Sequence, residues 1–341
     1  MYTLRNVINK KVSGKSFFFL VYSAILVTLF STCSPIYPFN PWMDASVFMT
    51  IGKNMLHGMM PYRDLFDLKG ILLFMVHEWA AFFCPHSFHA IYILQVLCLW
   101  GFITFSYKTA RLFCNTGITL PFACLVGLLT ISSDFYYYGD SVEEFSLPIL
   151  AYSMYHFLLY VRNGSVPLRG VGIVIGMGVG VILWMKYSIL TFYIGALAGI
   201  LVLAWRRGEL PVVGRTVMWM VCGMLTVSVP VLVYALHHGI LADFIGVYFY
   251  SNIFEYHGVS TRDDMSWQEK AFPLAGYALV LTAIGFSKVR KDVRLFAFCT
   301  FAGTASVLAF FKIPVCNFYY YLVLAVFLPL LIMYVRRWRV S

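Results

Sequence analysis

Apolar residues in this chain run on for whole helical lengths, at roughly 16–35, 88–107, 117–133, 146–161, 170–185, 188–205, 215–236, 271–287, 293–311 and 318–335. A hydrocarbon layer about 30 Å thick is crossed by about 20 residues of helix, so the pattern predicts about ten transmembrane helices. A single helix from Gly170 to Trp205 would measure roughly 54 Å, far more than that thickness. The chain is therefore expected to fold back near Trp184–Ser188, with Lys186 at the turn. Gly172, Gly176 and Gly180 recur every four residues in the first of the two resulting helices, a spacing that lets helix backbones approach closely.

After the first run the pattern changes. Ala45, Phe48, Gly52, Met55 and Leu56 alternate at helical spacing with Ser46, Thr50, Lys53, Asn54 and His57, which predicts an amphipathic helix lying in the membrane interface. Ile71 to Phe83 reads as a second interfacial helix or as an eleventh, partial span, since His77 and Glu78 interrupt an otherwise apolar face.

Composition agrees with lipid as the main solvent: of 341 residues, 61% are hydrophobic and 12% charged, more apolar side chain than a soluble fold can bury. A net charge of +10 would suggest a nucleic-acid partner in a soluble protein, but here the cations sort by membrane side. With the N-terminus in the cytoplasm, 18 of the 25 Lys and Arg residues fall at cytoplasmic ends, joined by only Glu209 and Asp292 of the 15 acids. Polar chemistry is then expected on three outer segments, 36–87, 134–145 and 237–269. The expected architecture is an all-α integral membrane protein. It forms a single transmembrane domain with no separate soluble domain, in the inner membrane of a bacterium, both termini cytoplasmic and the polar face periplasmic. Membrane lipids are its surroundings, and nucleic acid is not among its partners. The eight cysteines form no CxxC pair and read as core filler; Cys33, Cys84 and Cys316 are those an oxidising side would reach. The first run follows Lys10, Lys11 and Lys15 and reads as an uncleaved helix rather than a signal peptide.

The densest charge lies in Pro41-Trp-Met-Asp44-Ala-Ser-Val-Phe48 and in Gly58-Met-Met-Pro-Tyr62-Arg63-Asp64-Leu-Phe-Asp67-Leu-Lys69-Gly70. Asp44 and Asp64 are placed to take a proton from an acceptor hydroxyl and to face the positive charge of an oxocarbenium-like transition state. Asp44 also reads as the capping charge of the helix that starts beside it. Arg63, Lys69 and Lys186, with Arg262 and Lys312, are outer cations suited to a leaving phosphate. Asp67 reads better as a member of an ion-pair knot with Asp64, Arg63 and Lys69. In Asp134-Phe-Tyr-Tyr-Tyr-Gly-Asp140-Ser-Val-Glu143-Glu144 the tyrosines are expected to anchor at the interface. Asp140, Glu143 and Glu144 are candidates for acceptor binding or for supporting the site, set against a plain helix-start role for the two glutamates. Asp263 and Asp264 are expected to be solvated. The histidines show no metal-ligand spacing, while the outer acids leave a divalent metal ion open as a cofactor.

An acid soon after the first span, an interfacial helix, and then G-x-x-P-Y-R-D-x-F-D-x-K at Gly58–Lys69 resemble the first outer loop of GT-C glycosyltransferases. The nearest branch is that of the protein O-mannosyltransferases and lipid A aminoarabinose transferases. The resemblance covers about the first hundred residues. It implies an inverting transferase that moves a sugar from a polyprenyl-phosphate donor to a periplasmic or lumenal glycan, lipid or protein acceptor, with Asp44 as catalytic base. Where members carry a His-Tyr pair before the last helix, this chain reads Asn317-Phe-Tyr-Tyr-Tyr321. Two alternatives stay open: a transporter or flippase of a lipid-linked saccharide, which calls for polar groups near the midplane and related halves, and a non-catalytic membrane scaffold of envelope glycan synthesis.

Overall fold

The computed structural model describes residues 14–164, 169–255, 290–310 and 318–333. The expected span at 271–287, the candidate residues Arg262, Asp263, Asp264 and Lys312, and Cys316 lie outside them. The described residues are helical, with no β-strand beyond one isolated bridge between Pro61 and Leu65. In chain order the helices are α1 (Gly14–Phe30), α2 (Met43–Leu56), α3 (Ile71–Phe83), α4 (His89–Phe113), α5 (Thr119–Ile131), α6 (Val142–Asn163) and α7 (Arg169–Lys186). They continue with α8 (Thr191–Arg207), α9 (Leu210–His237), α10 (Leu241–Ile245) and α11 (Lys291–Phe310). A wide π-type helix, Gly246–Glu255, follows α10, and a tightly wound closing helix covers Phe318–Leu331.

Three described helical stretches are long and apolar enough to cross a membrane: His89–Phe113, Arg169–Arg207 and Leu210–His237. Gly14–Phe30, Ile71–Phe83, Thr119–Ile131 and Tyr319–Leu331 are shorter apolar helices. The described residues are thus all-α, with apolar helices of the kind that membrane proteins use. The second stretch breaks where thickness requires it. Lys186 is extended (φ −163°, ψ 93°), and a 3-10 turn over Tyr187–Leu190 leads into α8.

Side-chain neighbours fix the directions. Gly172 lies against Thr216 and Trp219, Gly176 against Met220, and Gly180 against Met224 and Val227, so α7 and α9 run parallel in steady register. Two parallel helices joined by α8 require α8 to return the other way. Accordingly Lys186 meets Glu143 at the start of α6, while Arg207 reaches the Val161 carbonyl at its end. The α7–α9 contact depends on missing side chains. A methyl group on Gly176 would overlap the Met220 carbonyl, and one on Gly223 the Ile173 carbonyl. Without Cβ atoms the two backbones pack directly, which in lipid replaces the hydrophobic drive that water supplies to soluble folds.

The two short helices α2 and α3 pack on each other. The apolar face of α2 (Ala45, Phe48, Met49, Ile51, Gly52, Met55) is buried, with Gly52 against the backbone of His77 and Glu78 in α3. Expected to face lipid, that stripe covers α3 instead, and Leu56 is the member left exposed. Lipid-type exposure belongs to α3, whose Trp79, Phe82 and Phe83 are each more than 60% exposed. At 13 residues α3 is roughly 20 Å long, too short to cross, and fits a helix lying along the interface.

Candidate functional site

The loop between α2 and α3 is shaped by its own side chains. Tyr62 takes a left-handed conformation (φ 71°), its N–H donates to the Leu65 carbonyl at 2.7 Å, and its hydroxyl donates to the Lys69 carbonyl at 2.7 Å. The Asp67 carboxylate accepts from the Lys69 N–H at 2.8 Å, an Asx-type turn that presents the Lys69 side chain. Gly70 then joins the loop to the membrane helices: its N–H donates to the Met185 carbonyl at 2.9 Å, and any Cβ there would overlap the Trp184 carbonyl. This backbone joint sets Lys69 beside the end of α7, where the extended Lys186 breaks the helix.

Three carboxylates and two amines gather around that joint. Lys186 is 9% exposed and pairs with the 2% exposed Glu143, the second residue of α6. Its ammonium also lies 3.6 Å from the centre of the Tyr320 ring and 5.4 Å from that of Tyr319, a geometry in which the ring faces stabilise a desolvated cation. The second oxygen of Glu143, Oε2, is buried with no hydrogen-bond partner among the described residues. Asp44, in the first turn of α2, accepts a hydrogen bond at 3.0 Å from the hydroxyl of Tyr319. No side chain caps that helix, so the carboxylate points toward the closing helix rather than back to its own N–H groups. Trp42 packs edge-on against Tyr319, with ring centres 5.4 Å apart, and buttresses the contact. Lys69 faces the same cluster. Burial opposes its charge, but Tyr320 and the carboxylates Asp67, Asp44 and Glu143 outweigh that and hold its ammonium above the ordinary lysine range.

Of the residues singled out by sequence, Asp44, Lys69, Lys186 and Glu143 are brought together. Asp64 and Arg63 are not. They pair with each other at 3.3 Å on the exposed side of the loop, Asp64 also accepting from the Met60 N–H at 2.7 Å. The Arg63 guanidinium and the Met60 N–H hold the Asp64 carboxyl below the usual carboxylate range. Arg63 in turn faces Asp243 and the His238 carbonyl, so this pair organises the loop surface.

Glu144 and Asp140 are consumed by the fold. Ser141 caps α6 by accepting from the Glu144 N–H at 3.1 Å. The Glu144 carboxylate accepts from the Asp140 N–H (2.8 Å), Gln95 (2.9 Å) and the Tyr136 hydroxyl (3.0 Å). This is a capping box displaced by one residue, and Ser141-x-x-Glu144 is its sequence signature, which distinguishes Glu144 from Glu143. Tyr136, expected as an interfacial anchor, is buried to hold Glu144; Tyr137, beside the Trp42 ring, is the exposed one. Asp140 has no exposed surface, adopts φ 63°, and bonds His77 at 3.0 and 3.2 Å. It cannot touch an acceptor in this arrangement.

The other ring nitrogen of His77, Nδ1, lies 2.9 Å from the Leu73 carbonyl and must donate to it. Nε2 and the Asp140 carboxyl therefore share one further proton. Burial alone would strip that proton from His77, but the adjoining Asp140 charge and the Leu73 carbonyl reverse the effect and raise its affinity. The pair pins α3 to the loop before α6.

Tyr319 and Tyr320 join the site although no charge or loop motif marks them in the sequence. The signal that marks them is the Tyr319–Tyr321 aromatic run itself. Among the described residues no group of three or more His, Cys, Asp or Glu side chains is arranged to hold a metal ion, and Cys33 and Cys84 are unpaired. Compared with protein-family profiles, curated proteins and solved structures, the chain matches none of them.

Proposed function

We propose that this protein is an inverting membrane glycosyltransferase of GT-C type that takes a sugar from a polyprenyl-phosphate donor. The carrying observation is the meeting, at one end of the helical bundle, of Asp44 held by Tyr319 with the two ammonium groups of Lys69 and Lys186. In this reading an acceptor hydroxyl attacks the anomeric carbon from the face opposite the phosphate. The bond from that carbon to the phosphate oxygen breaks, its electron pair leaves with the phosphate, and the hydroxyl proton passes to Asp44. Tyr319 occupies Oδ2 and fixes the carboxylate, leaving Oδ1 to accept the proton. Lys69 and Lys186 face the charge that grows on the phosphate, in a setting where fixed cations act strongly.

Three carboxylates (Asp44, Asp67, Glu143) stand against these two lysines, so the donor's phosphate must compete with Glu143 for Lys186. The exposed aromatic side of α3 suits a helix lying along the interface, where a lipid-borne donor presents its headgroup. The acceptor is a periplasmic or lumenal glycan, lipid or protein. Replacing Asp44 by Asn is expected to abolish transfer of labelled sugar from polyprenyl phosphate to acceptor with folded yield unchanged; full activity in the purified variant rejects the role.

A second reading is favoured by one observation, the buried and half-satisfied Glu143 paired to Lys186 at a helix break. Ionisable pairs at interrupted helices also mark transport sites. A transporter or flippase moves the labelled lipid-linked sugar intact across a vesicle membrane, whereas a transferase separates sugar from lipid.

A further inference from the structure

At the opposite end of the bundle, a recess of about 550 Å³ is lined by Arg162, Arg207, Glu209, Arg290, Lys291 and Asp292 among others. We propose that it is a binding site for the headgroup of an anionic phospholipid, independent of the glycosyl-transfer reading. The argument begins with the acids. Asp292 is tied to Arg207 at 2.5 Å and Glu209 accepts from the Tyr160 hydroxyl at 2.7 Å, so each carboxylate in the lining already has a partner from the chain. Arg207 is committed too, its guanidinium donating to the Val161 carbonyl at 2.8 Å, and Arg290 donates one nitrogen to the Arg162 carbonyl at 2.9 Å. These bonds cap the last carbonyls of α6 and fix the walls of the recess.

What remains unspent is cationic. Among the described residues no carboxylate engages the side chains of Arg162, Lys291 or Arg290. A phosphodiester carries a single negative charge and two free oxygens, which matches a fork of two guanidinium groups and an ammonium. A lipid is favoured over a free phosphate by the surroundings. Trp205, 72% exposed, and Leu210, 42% exposed, lie two and three residues from Arg207. A headgroup seated here continues into acyl chains along the apolar surface of α8 and α9, with Trp205 at headgroup level.

The test uses the full-length protein purified in neutral detergent. Binding of phosphatidylglycerol, phosphatidylcholine and inorganic phosphate is followed by native mass spectrometry and thermal stabilisation, for wild type and for R162Q/K291Q. Wild type is expected to prefer phosphatidylglycerol clearly over phosphatidylcholine. At a factor of about five per juxtamembrane cation, the double variant should bind it roughly 30-fold more weakly. Equal retention of the two lipids, an unchanged double variant, or stabilisation by inorganic phosphate as large as by phosphatidylglycerol would each overturn the proposal. If the variant fails to fold, the salt dependence of the wild type decides. The preference should fade between about 0.05 and 0.5 M salt as charge screening sets in, and a salt-independent preference overturns it.

Discussion

Replacing Lys186 by Met tests the site most sharply, because structure and chemistry respond differently to it. The ammonium sits on a 2% exposed carboxylate whose other oxygen already lacks a partner. A contact ion pair at roughly 3 Å and an effective dielectric near 20 attracts by about 5 kcal/mol, and removing one member of a buried pair typically costs 3–5 kcal/mol. The Lys69 charge stays nearby to compensate Glu143, so the lower end, about 3 kcal/mol, is expected for Lys186→Met. Glu143→Gln should cost less, since Lys186 keeps the faces of Tyr320 and Tyr319. The double variant should regain most of the stability, because neither charge is then buried alone. The assay is reversible unfolding in mixed micelles for all four members of the cycle, with donor KM measured alongside. Kinetics should split the pair: Glu143→Gln lowers donor KM by freeing Lys186 for phosphate, whereas Lys186→Met and the double variant raise it. A loss below about 1 kcal/mol for Lys186→Met would refute the buried pair. Donor KM shifts of the same sign in both single variants would refute competition between Glu143 and phosphate.

Three other outcomes follow from the same contacts. Tyr319→Phe should leave the fold intact but lower kcat about tenfold or more, with donor KM little changed, because a positioned base loses its orienting partner; the KM-against-kcat split in steady-state assays reads this. The raised proton affinity of the His77–Asp140 pair stabilises the fold fully below the free histidine pKa near 6.5, and that contribution is lost as pH rises through the raised value. Thermal unfolding from pH 6 to 9 should therefore fall more steeply in wild type than in His77→Asn. Gly176→Leu should separate α7 from α9 and cost at least 1–3 kcal/mol, read as loss of the monodisperse folded peak, while Gly170→Ala, where a Cβ meets nothing within 4 Å, should be silent.

Much of the scaffold could be read from the chain. The fold-back at Lys186 followed from a helix too long for a bilayer, and the glycine spacing announced a close contact without naming α9 as the partner. The loop motif led to Asp44 and Lys69, and the outer turn to Lys186. It could not say which loop charges turn inward: Asp64 and Arg63 sit in the same motif yet pair on its surface, where Asp64 also accepts from the Met60 N–H. Nor could it join Asp44 to Tyr319 across 275 residues, a contact that exists only once the closing helix docks. The choice between Glu143 and Glu144 was available in the capping signature at Ser141. The fate of Asp140 was not, since its histidine partner lies 63 residues earlier in another helix.

Because Gly70 meets Met185 main chain to main chain, the spacing of the two lysines is insulated from side-chain drift on either segment. Substitutions around the joint can retune polarity or shape without moving the amines apart. Conversely, a rigid shift of α7 along its axis is passed through that joint to the loop between α2 and α3, and so to the Lys69 side of the cluster.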